Sequence, residues 1–294
     1  MKDRTAKGIG RVNLAVGLVM LIVCYAILVA GMVMMIIVNE PDAWQAYFRD
    51  SAFRFLSACI CVLLLFAILF YYYYFEDKTF IARGRNVFLI YLVLILAVLV
   101  CYFCGRFVSI YLRPVAMLAL IGLFLFGRRQ AIILNFVFSL LMFVIDTFTN
   151  NFDSSPNSVY ISLMLSFACG TFAVFVAANV KTRWELLLTG VFLGIPGLAI
   201  VLLLELSELD FVHFDWIPYV ASAGYGILGC VLSAMLALCI LPVFEMAFNR
   251  LTVFRLRELT SANAPLLQRL RTEAPGTFNH SLIVAQLAET CAIA

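Results

Sequence analysis

The residues best suited to chemistry gather near the C-terminal end of this chain. His280 stands in the run EAPGTFNHS, Glu273 to Ser281, a few residues after a Pro-Gly break and just inside a helical pattern. An imidazole there can ligate a transition metal or move a proton. Taken alone, a single histidine near a helix start is more often a surface residue. The other histidine, His213, lies far upstream, so spacing gives no metal cluster. Cys101 and Cys104 form a CxxC that could hold a metal or cycle with a disulfide. They sit in an apolar run without a second pair, which is the pattern of two ordinary helix residues. The chain shows no Gly-rich phosphate loop, no Ser-His-Asp set and no basic nucleic-acid surface, so no nucleic-acid partner is expected.

What must position the tail is a membrane bundle. Hydrophobic residues make up 65% of the chain and charged residues 13%, with a mean hydropathy of +1.05. A soluble domain is about half apolar and a quarter charged. The nine cysteines lie in apolar segments or in the tail, which gives no support to a disulfide framework. Lys2, Arg4, Lys7 and Arg11 precede an apolar run that is longer than a cleaved signal and reads as a retained anchor.

A helical span needs about 20 apolar residues, because the hydrocarbon core is ~30 Å thick. Eight runs qualify as candidates: 12–38, 53–75, 87–104, 107–126, 131–149, 159–180, 184–206 and 216–243. They lack the alternation of a membrane barrel, so helices are the form that satisfies the backbone in lipid. The fourth run is the weakest, since Arg113 and Pro114 interrupt it: it is either a short span with Arg113 at the outer surface or a broken helix.

Lys and Arg set the orientation. With the N-terminus in the cytoplasm, sixteen of the twenty fall on that side, leaving Arg49, Arg54, Arg106 and Arg113 outside. Trp44, Trp184 and Trp216 fall at span ends, and Tyr71 to Tyr74 read as an interfacial belt rather than a ligand-stacking surface. Asp146 and Glu205 lie near outer ends, where they are expected to reach water, and Glu245 lies at an inner end. With no charge at mid-span, the pattern weighs against a transporter. Gly190 and Gly194 form a GxxxG, and Ser222, Gly226 and Cys230 form a second small stripe. Both favour close helix packing within the chain, with homodimerisation through these faces as the alternative.

Past Leu241 the chain becomes polar but keeps helical spacing. Val253, Leu256 and Leu259, then Leu266, Leu267 and Leu270, mark two short helices, with Pro265 suited to a first helical position. A fresh amphipathic helix is expected from about Thr277, and the segment from Val243 to Ser261 reads as a stiff connector.

The stretch RLRELTSANAPLLQRLRTEAPGTFNHSLIVAQLAE closely resembles the junction of the bacterial seven-transmembrane HD-hydrolase family (PgpH type). LPVFE at Leu241 to Glu245, YLRPVA at Tyr111 to Ala116 and the general run of spans are similar too. The resemblance implies a cytoplasmic HD-type phosphohydrolase that holds two divalent metal ions, Fe or Mn, and hydrolyses cyclic di-AMP to the linear dinucleotide. Paired cations of that kind neutralise phosphate charge and activate a water near neutral pH. His280 matches the family's first metal ligand, and Asn279 stands where the family often has a second histidine.

Two departures qualify that expectation. The sequence runs only 14 residues beyond His280, so no complete catalytic set is present, and this chain alone is expected to be inactive and to hold no metal. Residues 39–52 leave only a short loop where the family usually carries a large sensor domain.

The expectation is therefore an all-α protein: a polytopic helical membrane bundle of eight predicted spans, followed by the first helices of a truncated cytoplasmic HD-type domain. Residues 1–38 are the cytoplasmic N-terminus and anchor, 39–52 the external loop, 53–243 the seven-helix membrane domain, 244–272 the helical connector and 273–294 the start of the HD domain. The expected location is the bacterial cytoplasmic membrane, multi-pass, with both termini in the cytoplasm. The expected partners are the bilayer and, for the intact enzyme, a cyclic dinucleotide. The competing reading is a non-enzymatic transporter or sensor scaffold.

Overall fold

The computed structural model describes residues 2–39, 44–76, 84–149, 157–206, 216–248, 251–261 and 264–293. Among these the fold is all-α, as expected, with no strand. Helices α1 (Lys2–Asn39), α2 (Trp44–Asp50), α3 (Ala52–Glu76) and α4 (Gly84–Phe107) open the chain. A 3-10 turn, Ile110–Leu112, leads to α5 (Met117–Phe126). Then come α6 (Arg128–Thr149), α7 (Asn157–Ala177), α8 (Arg183–Leu206) and α9 (Trp216–Phe248). The tail forms α10 (Val253–Thr260), α11 (Pro265–Glu273) and α12 (Pro275–Ile293).

Six helices, α1, α3, α4, α6, α8 and α9, are long and apolar enough to cross a membrane. The other two expected spans are shorter apolar stretches, within Ile110–Phe126 and Ser162–Ala177. The former is not one helix. α5 has only ten residues, about 15 Å, or half the hydrocarbon thickness. Pro114 has no N–H to donate and disfavours a helical residue before it, and Arg113 is extended at φ −58, ψ 128. Irregular backbone at membrane depth is tolerated where protein covers it, and Arg113 to Ala116 are buried.

Several helices bury one stripe and turn the remainder outward, whereas α4 has no exposed residue from Asn86 to Tyr102. In α3, Ala58, Cys59, Val62, Phe66, Leu69 and Tyr73 face the core at three- and four-residue spacing. Leu56, Ile60, Leu63, Leu64 and Ile68 stay exposed, as suits a lipid-facing side. α5 differs: Met117 to Ile121 are wholly enclosed, making it a central strut rather than a wall. Tyrosine hydroxyls tie neighbours together by donating to spare carbonyl lone pairs, Tyr91 to Phe66 at 2.8 Å and Tyr102 to Met35 at 3.2 Å.

Two details depart from the expected boundaries. Within the short loop expected over 39–52, residues 44–50 form α2. Tyr47 stacks edge-on against Phe148 at 5.7 Å and donates its hydroxyl to the Phe148 carbonyl at 2.8 Å, which pins the turn to the bundle. The ninth helix also continues five residues past 243 through Pro242. Between α5 and α6, Gly127 takes φ 97 and donates its N–H to Leu123, a conformation that suits glycine.

Candidate functional site

The bundle holds one buried charge pair among the described residues, and it is not where the charge pattern placed it. Asp146 was expected to reach water, and Arg113 to lie either at the outer surface or in a broken helix. Instead they are 6% and 1% exposed. Arg113 Nη1 donates to Asp146 Oδ2 at 2.5 Å and Nη2 to Oδ1 at 3.0 Å, a bidentate fork. Nη1 also donates to Ser162 Oγ at 2.8 Å. Three elements converge there: the break before α5, the last turns of α6 and the second turn of α7. Neither ion could stay charged in this apolar setting without the other.

Missing side chains make the seat. A methyl on Gly105 of α4 would fall 2.1 Å from Arg113 Nε, so the guanidinium lies directly on that helix backbone. Nε itself has no hydrogen-bond partner among the described residues. On the other side, a methyl on Gly229 of α9 would come within 2.8 Å of the Tyr111 carbonyl oxygen and 3.1 Å of that of Arg113. The YLRPVA segment is therefore clamped between two glycines. Asn135 extends the polar seam along α6, donating weakly to the Ser166 and Phe167 carbonyls and pressing onto Gly170.

The expected small-residue faces pack inside the chain. A methyl on Gly190 would meet Ala234 at 2.8 Å, and one on Gly194 would meet Ile227 at 3.2 Å. These glycines let α8 approach α9 closely, and the surface is already used.

At the opposite end of the bundle the tail is docked, not dangling. Thr252 caps α10, its hydroxyl accepting from the Arg255 N–H at 3.4 Å and donating to the buried Glu245 carboxylate. Phe254 is 2% exposed, its ring 4.6 Å from that of Phe124 near the end of α5. Arg183 lies over the Phe254 ring at 6.0 Å and donates from Nε to Glu258 at 2.8 Å. That hydrogen bond, aided by the positive charge, holds the Glu258 carboxyl below the usual glutamate range. Arg85 donates to the Phe248 carbonyl at 2.5 Å, fixing the end of α9. Thus the connector is a set of short helices whose first member is latched to the bundle.

His280 lies on α12, exposed, five residues after that helix begins at Pro275. The helix starts two residues earlier than expected, because proline at the first position needs no N–H partner. Leu282, Ile283, Val284 and Leu287 of the same helix are also exposed. Among the described residues no three His, Cys, Asp or Glu side chains gather to hold a metal. One exposed imidazole therefore does not fit the metal pair that the resemblance implies. Cys101 is buried and Cys104 half-buried in α4, with no such cluster around them. His213 and the acidic loop 207–215 lie outside the described residues.

Sequence reasoning singled out His280 but missed the two places where the structure concentrates its polar contacts. Arg113 was read as an outer-surface or helix-break residue, and the apolar spacing of Val253, Leu256 and Leu259 passed over Phe254. A usable signal was present: an Arg-Pro break shortly after a glycine, and an acid one turn before a helix end.

These features define a polytopic helical membrane protein with a broken central helix and a helical tail latched at one end. The chain belongs to the family described as "7TM receptor with intracellular HD hydrolase", whose profile matches residues 52–252. Residues 134 in number align at 40% identity with the uncharacterized protein slr0104 of Synechocystis, covering 44% of this chain and 16% of that protein. The cyclic-di-AMP phosphodiesterase PgpH of Listeria monocytogenes is 34% identical over 146 residues, covering 50% of this chain and 19% of that protein. PgpH of Bacillus subtilis is 28% identical over 182 residues, covering 61% and 24%. The chain thus spans a quarter or less of the curated relatives it matches. No solved structure matches it.

Proposed function

We propose that this chain is the membrane portion of a metal-dependent phosphodiesterase that hydrolyses cyclic di-AMP, with the bundle regulating a catalytic domain built on the tail. The observation that carries the reading is His280 in EAPGTFNHSLIVAQLAE, on a helix joined by a latched connector to a bundle of this family. The names of two relatives supply the substrate class. In this reading His280 is the first ligand of a divalent metal site whose other ligands come from further catalytic-domain residues. The termini face the cytoplasm of a bacterial inner membrane, which accords with the excess of Lys and Arg on that side.

The test is made on full-length protein in lipid vesicles. It is expected to hydrolyse cyclic di-AMP and to carry bound metal, and His280→Ala is expected to lose both. A wild type that binds no metal and leaves the dinucleotide intact would overturn the proposal in favour of a transporter or sensor scaffold. For the regulatory half, replacing residues 249–261 by a flexible Gly-Ser linker is expected to change turnover. Unchanged turnover would mean that the bundle is only an anchor.

A further inference from the structure

We infer that α5 is a lever that couples the seating of Arg113 at one end of the bundle to the docking of connector helix α10 at the other. That the lever regulates catalysis rests on the function proposed above; the coupling itself does not.

Arg113, the break and α5 form one hydrogen-bonded unit: Val115 N–H to the Arg113 carbonyl at 2.8 Å, Met117 to Pro114 at 3.2 Å, and Leu120 to Ala116 at 3.1 Å. The guanidinium therefore cannot leave Asp146 and Ser162 by backbone movement without shifting the first turn of α5. A ten-residue helix whose residues Met117 to Gly122 are buried, with the remainder buried or half-buried, transmits such a shift along its axis, because packed interiors are stiff. Its far end carries Phe124, which meets the buried Phe254 ring of the connector. Arg183 then closes the latch over Phe254 and onto Glu258.

A second rail runs in parallel. Gly229 of α9 rests on the Tyr111 and Arg113 carbonyls. α9 continues to Phe248, whose carbonyl takes the Arg85 bond just before the connector starts. Both rails start at Arg113 and end beside α10. Chains of packed side chains and rigid helices of this kind are what can carry energetic coupling between two sites.

Amide hydrogen exchange on full-length protein in lipid vesicles tests the coupling. Asp146→Asn removes the charge partner, and Arg113→Lys keeps the cation but loses the fork. Phe254→Ala opens the latch directly. Peptides covering 253–260 are expected to exchange roughly 5- to 150-fold faster in all three variants, the range of typical coupling, while peptides from α3 stay as in the wild type. Unchanged connector exchange in Asp146→Asn and Arg113→Lys overturns the lever. So does an increase shared by every helix, which would report general loosening, and so does an unaffected connector in Phe254→Ala. Hydrolysis of cyclic di-AMP is measured on the same samples. Its absence in the wild type would remove the proposed function and leave the exchange result to decide the coupling alone.

Discussion

Gly105 and Arg113 compete for the same space: a methyl on the glycine would stand 2.1 Å from Arg113 Nε. The arginine is buried because the glycine is bare. This makes a helix position with no polar atom of its own a determinant of where a charge resides.

Gly105→Ala is therefore expected to destabilise the bundle by about 1–3 kcal/mol, the usual cost of overpacking. Gly229→Ala meets backbone carbonyls and has even less room to relax. Gly224→Ala, with nothing within 4 Å of its added methyl, should stay within about 0.5 kcal/mol. Unfolding in mild detergent ranks the three, and an equal response from all of them would refute the close seat.

The Arg113–Asp146 pair should show strong non-additivity. Each alanine variant strands a buried ion, a loss of about 3–5 kcal/mol. The double variant strands none, so its cost should fall short of the sum by about 1–3 kcal/mol. Strict additivity would mean that the two charges do not depend on each other.

Gly170 and Asn135 offer a rescue experiment. A methyl on Gly170 would lie 2.0 Å from Asn135 Oδ1, so Gly170→Ala should lower the melting temperature. Adding Asn135→Ala removes the obstacle and should recover part of the loss. A double variant worse than Gly170→Ala alone would contradict the contact.

Latch strength should depend on acid in a defined sense. Glu258 is held below its usual range when docked, so its contribution is complete above the ordinary glutamate value of about 4.3 and fades as pH falls through the lower, docked value. Because Arg183 and Glu258 are 37% and 46% exposed, the pair is worth only about 0–1 kcal/mol and weakens with salt. Phe254→Ala should cost more than Glu258→Gln at neutral pH, about 3–5 kcal/mol for a buried phenylalanine. Proteolytic cutting within 251–261 reads both effects, and the reverse order would place the latch in the ion pair.

Much of the architecture was legible because lipid imposes a simple code. Runs of apolar residues expected over 53–75, 131–149 and 184–206 became Ala52–Glu76, Arg128–Thr149 and Arg183–Leu206. Pro265 opened α11 as its fixed φ suggested. What stayed hidden was pairing. The charge-bias rule counts an arginine as a loop residue, and nothing local says that an acid 33 positions later will cover it. Nor does apolar spacing in the connector single out Phe254, whose partner Phe124 lies in another helix. The candidate ligand His280 was singled out from its neighbours alone, and the helix around it leaves it without companions among the described residues.

The enclosure of α5 changes what kind of substitution the membrane domain can absorb. On α3 a swap of one lipid-facing aliphatic for another leaves the surroundings unchanged, since acyl chains flow around either shape. Around Ala119, which is fully enclosed, and Gly122, whose added methyl would sit 3.3 Å from Leu134, the surroundings are fixed side chains. Leucine at either site would raise hydropathy and still jam the interior. For this helix volume, not polarity, decides which residues are allowed.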